Sequence, residues 1–201
     1  MVVARQNWAT PERNEFQREG AAVPSREGSV LGHCQVLRQA GAVIDVRTAH
    51  PDDDEALVAI DAATWTPAVS PAPMPEAGTA YFGERAKPED VLVALVDGVV
   101  AGYVQLKQTS PVPSHEHVLL INGLAVHPDH QRSGIGRRLI EAAVEEASHR
   151  GVRKLSLRVL APNTTARRLY EALGFVIEGI LREEFLLDGT YVDDVFMARQ
   201  L

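Results

Sequence analysis

The heptapeptide QRSGIGR at residues 131–137 combines residue types that could bind an anion. Gly134 and Gly136 lie where an apolar-periodic helix begins, at the helix end that carries about half a positive charge. Glycines leave backbone N–H groups uncovered there, and Arg132 and Arg137 add charge from either side. The pattern predicts a receptor for a phosphate or pyrophosphate. The alternative, that the two glycines only shape a turn, stays open at this point.

Two common phosphate-binding motifs do not fit this stretch. A Walker loop requires Lys-Ser or Lys-Thr after its last glycine, and Arg137 follows Gly136 instead. A dinucleotide fingerprint requires a third glycine and a first βαβ unit, and the sequence has neither at this position. Both motifs are therefore excluded.

The elements around this loop follow from hydrophobic periodicity and turn signals. Alternating or apolar runs predict strands, and Asp97-Gly98 and Asp188-Gly189 predict the turns of two hairpins. Predicted strands cover 42–49, 89–96, 99–108, 117–126, 153–161, 175–187 and 191–201, and predicted helices cover 51–64, 134–149 and 163–174. The proline-rich stretch 66–78 is predicted to be a loop that covers a substrate, or an ordinary surface loop. This order predicts one α/β (α+β) domain with a mixed sheet and helices on both faces.

Composition limits the function classes. The chain has 201 residues, 45% of them hydrophobic, and a formal net charge of −7, which disfavours nonspecific binding to nucleic acid or to an anionic membrane. Cys34 is the single cysteine, so no intrachain disulfide forms and a reducing compartment is expected. Without a secretory signal or a long apolar run, the expected location is the cytoplasm. Residues 1–42 are polar and aperiodic and are predicted to be a flexible N-terminal extension before a domain at 43–201.

Two sequence stretches together resemble one known family. LAVHPDHQRSGIGRRLI at 124–140 is similar to the acetyl-CoA pyrophosphate loop of the GNAT N-acetyltransferase superfamily, whose pattern is [QR]-x-x-G-x-[GA]. NTTARRLYEALGF at 163–175 is similar to the second family signature, in which an Asn is followed seven residues later by Tyr and then by Gly-Phe. The element order agrees from about residue 44 to residue 201.

The resemblance implies a mostly antiparallel sheet in which two central strands splay apart and the pantetheine arm of acetyl-CoA, the co-substrate, lies in the gap. Extended amides pair with strand edges in this way. By the same likeness, Asn163 reaches the cofactor with its side chain, although its residue type alone predicts a helix cap. The residues expected to contact acetyl-CoA are Leu124, Ala125, Val126, Gln131, Arg132, Ser133, Gly134, Ile135, Gly136, Arg137 and Asn163.

Tyr170 is the expected catalytic residue, because its place in the second signature implies a general acid for the departing thiolate. Core packing is its alternative role. Transfer is expected to be direct, with the thioester carbonyl held near Val126. No metal is expected, because no ligand-like spacing of His and acidic residues is found.

The base that deprotonates the amine is not identified by the sequence. Family members often carry a Glu near the position of Leu120, and this chain does not. The remaining candidates are His115, Glu116, His117, Asp193 and Asp194, each acting through water or simply solvated.

The acceptor is expected to be a small-molecule amine such as an amino acid or polyamine, bound near the loop at 66–78 and the acids Asp193 and Asp194. Three alternatives stay open: transfer to a protein or peptide N-terminus, a non-catalytic acyl-CoA sensor, and a nucleotide-binding regulatory module. The outer edge of the closing hairpin could pair in a homodimer.

Overall fold

The computed structural model describes residues 2–3, 37–39, 42–74, 76, 78–83 and 86–201. In this part of the chain it has nine strands and three α-helices. In chain order these are β1 (Val2–Val3), β2 (Leu37–Gln39), β3 (Ala42–Thr48), α1 (Asp54–Thr64), β4 (Val91–Val96), β5 (Val99–Lys107), β6 (Val118–Val126), α2 (Ile135–His149), β7 (Lys154–Leu160), α3 (Thr164–Ala172), β8 (Val176–Leu187) and β9 (Thr190–Gln200).

The strands form one mixed sheet in the order β2-β3-β4-β5-β6-β7-β9-β8, and β1 pairs with β6 outside this path. Among the described strands, β6 and β7 are the one parallel pair, and every other pairing is antiparallel. A parallel pair needs a long crossover, which α2 supplies. The predicted fold class, a mixed and mostly antiparallel sheet with helices on both faces, is confirmed.

Each face of the sheet has its own hydrophobic core. On one face, α2 and α3 bury Leu139, Ile140 and Tyr170 against strand residues that include Leu124 and Leu157. On the other face, a smaller core of nine buried residues brings α1 onto β4, β5 and β6. The sheet is therefore covered on both sides at its centre, where β6 lies.

Turn and cap chemistry sets where the elements begin. Asp97 and Gly98 both have positive φ, 49° and 83°, as a two-residue hairpin turn between β4 and β5 requires. The 3₁₀ turn that leads into α1, Pro51–Asp53, begins with a capping box in which the Asp53 carboxylate accepts the backbone N–H of His50 at 2.7 Å. The same carboxylate pairs with Arg47 at 2.7 Å.

The predicted strands and helices are all present, and their ends shift by no more than a few residues. Strands β1 and β2 were not predicted, because both fall in the polar stretch 1–42. Of that stretch the structure describes residues 2–3, 37–39 and 42, so most of the predicted extension, with Cys34, lies outside the described residues. Within the described residues, no helix is long and apolar enough to cross a membrane.

Candidate active site

A β-bulge in β6 lies at the point where the pairing of β6 with β7 ends. On β5, Gln105 lies across from Gly123 and Leu106 lies across from Ile121, so Asn122 is the extra residue on β6. A bulge bends its strand and increases the local twist. The parallel pairing of β6 with β7 runs from Val118 to Ile121, and the register gives no pair beyond that point. The edge of β6 at residues 122–126 therefore diverges from β7.

Strand β1 pairs with this diverging edge. Val2 lies across from Ala125 and Val3 lies across from Leu124, in antiparallel orientation. Strand β5 pairs with the same two β6 residues. Because a strand has two edges, β1 lies on the edge of β6 that faces β7.

The loop after β6 holds the predicted anion receptor at the start of α2. Gly134 is the N-cap of α2 with φ 89°, and Arg132 has φ 62°, a left-handed conformation that is uncommon outside glycine. Two side chains tie the loop back: Gln131 Nε2 donates to the carbonyl of Val126 at 3.1 Å, and Ser133 Oγ donates to the carbonyl of His130 at 2.5 Å. The loop is thereby fixed at the end of β6.

The side chains of this loop differ in their exposure. Arg132, Ser133 and Gly134 are exposed, while Ile135 is buried in the core under α2. Arg137 is exposed too, and its Nε donates to Glu141 Oε1 at 2.9 Å one turn along the helix. The loop thus presents its backbone N–H groups and the Arg132 side chain to solvent. The second arginine, Arg137, is also exposed but is paired with the Glu141 carboxylate.

The second predicted motif forms the start and the inner face of α3. Asn163 is the N-cap of this helix, and its Oδ1 accepts the backbone N–H of Ala166 at 3.2 Å. The structure therefore confirms its capping role. Because Asn163 follows β7 and the anion loop follows β6, the parallel orientation brings both motifs to the same edge of the sheet.

Tyr170 is completely buried on the α2–α3 face of the sheet. Its ring contacts that of Phe175 edge-on, with centroids 5.6 Å apart, in agreement with the packing alternative. Its hydroxyl, however, has no hydrogen-bond partner among the described residues. Burial raises the pKa of this phenol well above its ordinary value, so the group keeps its proton at neutral pH. A buried hydroxyl without a partner is costly, and it calls for a ligand or another explanation.

The opposite face of the sheet carries polar side chains that the sequence motifs do not include. Tyr103 on β5 lies across from Ala125, and its hydroxyl donates a short hydrogen bond to Asp61 of α1. Next to this pair, Asn122 Nδ2 donates to Gln105 Oε1 at 3.2 Å, and both side chains are buried. The sequence motifs did not predict this polar group, because Gln105 and Asn122 match no motif. The pattern that could have indicated it is the presence of these two polar residues inside otherwise apolar strands.

Aromatic rings and a small pocket adjoin this polar group. Tyr81 packs edge-on against Tyr103 with ring centroids 5.1 Å apart. A pocket of about 220 Å³ opens beside Gln105 and is also lined by Ala86, Lys87, Asp90, Leu106, Lys107 and Gln108. The lining belongs to β5, to Gln108 directly after it and to the segment before β4, so none of the described residues of the proline-rich loop lines this pocket.

The structure places the candidate bases away from the bulge. His115, Glu116 and His117 precede β6, and even the last of them lies five residues, roughly 16 Å, from Asn122. Asp193 accepts hydrogen bonds from Arg182 and from the Glu183 backbone N–H. Both hydrogen bonds lower the pKa of the Asp193 carboxyl, the bond from the Glu183 N–H more than the bond from Arg182. The lowered pKa makes this carboxylate a weaker base.

Asp194 is buried in an ion-pair cluster farther along the sheet. Arg158 of β7 donates to Asp194 and to Glu184, and its guanidinium lies 4.6 Å from the centroid of the Phe196 ring. The Oδ1 atom of Asp194 has no hydrogen-bond partner in the described part of the chain. Burial raises the pKa of this carboxyl, against the opposing effect of Arg158. The cluster ties β7, β8 and β9 together. No group of three or more metal-ligating side chains is found among the described residues.

Comparison with known proteins agrees with this geometry. The family model "Acetyltransferase (GNAT) family" matches residues 55–175, more than half of the chain. The mixed sheet with a diverging parallel pair and helices on both faces defines an α/β domain, and within that class this chain belongs to the GNAT acetyltransferase family.

Among curated proteins, the chain is 31% identical over 111 residues to the L-amino acid N-acyltransferase MnaT of Escherichia coli strain K12, a match that covers 55% of this chain and 64% of that protein. It is 43% identical over 75 residues to the [ribosomal protein bS18]-alanine N-acetyltransferase of the same strain, covering 37% of this chain and 51% of that protein. The matches thus span less than two thirds of either relative. Among solved structures, a ribosomal-protein-alanine N-acetyltransferase from Brucella melitensis superposes with a TM-score of 0.62 at 27% identity, covering 78% of this chain and 99% of that one.

Proposed function

We propose that this protein is an acetyl-CoA-dependent N-acetyltransferase whose acceptor is a small-molecule primary amine. The observation that carries the proposal is the divergence of β6 from β7 after Ile121, directly ahead of the loop at the start of α2. Membership of the GNAT family and the similarity to an amino acid N-acyltransferase support it.

The residues present fit acetyl-CoA along one continuous path. Backbone groups of Leu124, Ala125 and Val126 would pair with the amides of pantetheine, since this edge of β6 diverges from β7. The N–H groups of residues 132–137 would bind the pyrophosphate, because they lie at the positive end of a 15-residue helix. The side chain of Asn163 would contact the cofactor from the end of β7.

Tyr170 would act as the general acid. When the acceptor nitrogen forms its bond to the acetyl carbon, the nitrogen releases a proton to water and the carbon–sulfur bond breaks. The thiolate that leaves must then be protonated or stabilised. The Tyr170 hydroxyl is protonated at neutral pH, since burial raises its pKa, and it has no hydrogen-bond partner among the described residues. It is therefore free to donate a hydrogen bond to the thiolate as negative charge develops on the sulfur.

The acceptor would approach from the α1 face, opposite Tyr170. Asp61 and Tyr103 form a hydrogen-bonded pair beside Ala125, and the ring of Tyr81 packs against Tyr103. A carboxylate next to aromatic rings attracts an ammonium group through charge and cation–π interaction. We therefore assign the positioning of the acceptor's ammonium group to Asp61.

The first experiment measures the release of free thiol from acetyl-CoA with a panel of amino acids, polyamines, aminoglycosides and short peptides. Tyr170→Phe is expected to lower kcat about a hundredfold or more. Tyr191→Phe is the matched control, since that tyrosine is 64% exposed on β9 and its variant is expected to keep full activity.

The panel separates the alternatives. Turnover with peptides alone would move the acceptor to a protein N-terminus, the role of the bS18 relative. Thermal stabilisation by acetyl-CoA without turnover would favour a sensor domain. Tighter binding of ATP than of CoA would contradict the proposal and favour a nucleotide-binding module.

A second experiment tests the acceptor side. Asp61→Asn is expected to raise the KM for the amine by roughly 10- to 100-fold, the loss of one charge-assisted hydrogen bond of about 1.5–3 kcal/mol, with a smaller change in kcat. Asp52→Asn removes the same charge from a side chain that is 90% exposed and is expected to leave KM unchanged. An unchanged KM in Asp61→Asn would contradict the assignment of Asp61.

A further inference from the structure

Strand β1 lies on the part of β6 that the cofactor is proposed to use. Val2 and Val3 pair with Ala125 and Leu124, while β5 pairs with the opposite edge of β6 at the same two positions. The pantetheine amides and the backbone of β1 would therefore need the same N–H and C=O groups of β6. Both cannot pair with them at once.

We propose that this edge of β6 is a strand-accepting surface whose occupant is residues Val2–Val3 of the same chain, and that acetyl-CoA must displace this strand in order to bind. The proposal rests on the cofactor path given above. It makes residues Val2–Val3 an intramolecular competitor of the co-substrate.

The segment is able to reach this position within one chain. Strand β2 lies at the far end of the sheet, four strand spacings or roughly 19 Å from β6. The chain between Val3 and Leu37 spans up to about 110 Å when extended, so its length does not restrict the pairing. The β-branched pair Val2-Val3 has the residue type that strands favour.

A strand of two residues competes only weakly with acetyl-CoA for the edge of β6, so the cofactor is able to displace it. Of two adjacent antiparallel residue pairs, one exchanges both of its backbone hydrogen bonds. The two bonds together contribute a modest net free energy, and the cost of ordering the segment offsets most of it, so the paired state is expected to predominate by about three- to tenfold. The apparent Kd for acetyl-CoA is raised by the same factor, because only the unpaired state binds.

The test uses the full chain with Val2→Pro and Val3→Pro combined. Proline lacks the N–H that a strand donates, so the variant removes the pairing whichever residue supplies the bonds. The control combines Ala21→Pro and Ala22→Pro, which places two prolines in the same N-terminal stretch and leaves residues 2 and 3 unchanged. Two quantities are measured: the Kd for acetyl-CoA by calorimetry, and amide hydrogen exchange at residues 122–126 without cofactor.

We expect the Val2/Val3 variant to bind acetyl-CoA about three- to tenfold more tightly than the wild type and the control, and to exchange the β6 amides faster. Equal Kd values and equal exchange would overturn the proposal. If exchange differs but no form binds acetyl-CoA, the strand contact stands and the cofactor path is wrong. A difference in Kd that appears only at high protein concentration would assign the strand to a second copy and overturn the intramolecular contact.

Discussion

Replacing Tyr170 with Phe should stabilise the cofactor-free protein while it removes the proposed acid. The hydroxyl is buried and has no hydrogen-bond partner among the described residues, and burying such a group costs about 1–3 kcal/mol. Phe keeps the edge-on contact with Phe175 and leaves only the space of one oxygen atom. That space weakens the van der Waals packing around it, so we expect a net gain of about 1 kcal/mol in the free energy of unfolding, or about 2–4 °C in Tm.

The assay is guanidinium unfolding without cofactor, followed by far-UV circular dichroism, with calorimetry for Tm. Tyr103→Phe is the matched comparison, because its hydroxyl donates to the Asp61 carboxylate. That variant should lose about 1.5–3 kcal/mol, the range for a hydrogen bond to a charged group. A loss of 1 kcal/mol or more in Tyr170→Phe would refute the reasoning, because it would mean that the hydroxyl has a stabilising partner.

Three further outcomes follow from the contacts described. Gly102→Ala places a Cβ 2.8 Å from the carbonyl oxygen of Ala125 on β6 and should cost about 1–3 kcal/mol in urea unfolding. Gly179→Ala should be nearly neutral, because apart from the adjoining residues no atom lies within 4 Å of its Cβ. The hydrogen bond from Arg47 holds the pKa of Asp53 below its ordinary value. The stability that this ionised carboxylate contributes is therefore fully present above about pH 4 and is lost as the pH falls through the lowered pKa. The difference in unfolding free energy between wild type and Asp53→Asn should shrink on acid titration. Asn163→Ala removes the α3 cap and should cost about 1 kcal/mol by the same unfolding assay, and it should also weaken acetyl-CoA binding.

Much of this architecture could be predicted from local patterns. The alternation in β3, the Asp97-Gly98 turn and the helix that starts at the glycine-rich loop each have a local cause, and all three are present. The capping role of Asn163 could likewise be predicted from its residue type and its position before a helix.

Other features depend on contacts between distant segments, which local patterns do not encode. The bulge at Asn122 follows from how β5 and β6 align, and the pairing of Asp61 with Tyr103 joins residues 42 positions apart. Strand β1 was missed for the same reason, because two valines in a polar stretch show no periodicity until β6 supplies a partner. The ion pairs of Asp193 and Asp194, which make these carboxylates less suitable as general bases, likewise could not be predicted from local patterns.

The single parallel pair among the described strands has a consequence for how the domain folds and unfolds. Strands β6 and β7 can pair only after the chain between them has folded back through α2, and the first turn of that helix is also the proposed anion receptor. The proposed ligand site and the crossover that joins the parallel pair are thus carried by the same 15-residue helix. A bound pyrophosphate would hold the start of this crossover in place, so ligand should slow the unfolding of the central strands as a unit rather than protect the loop alone.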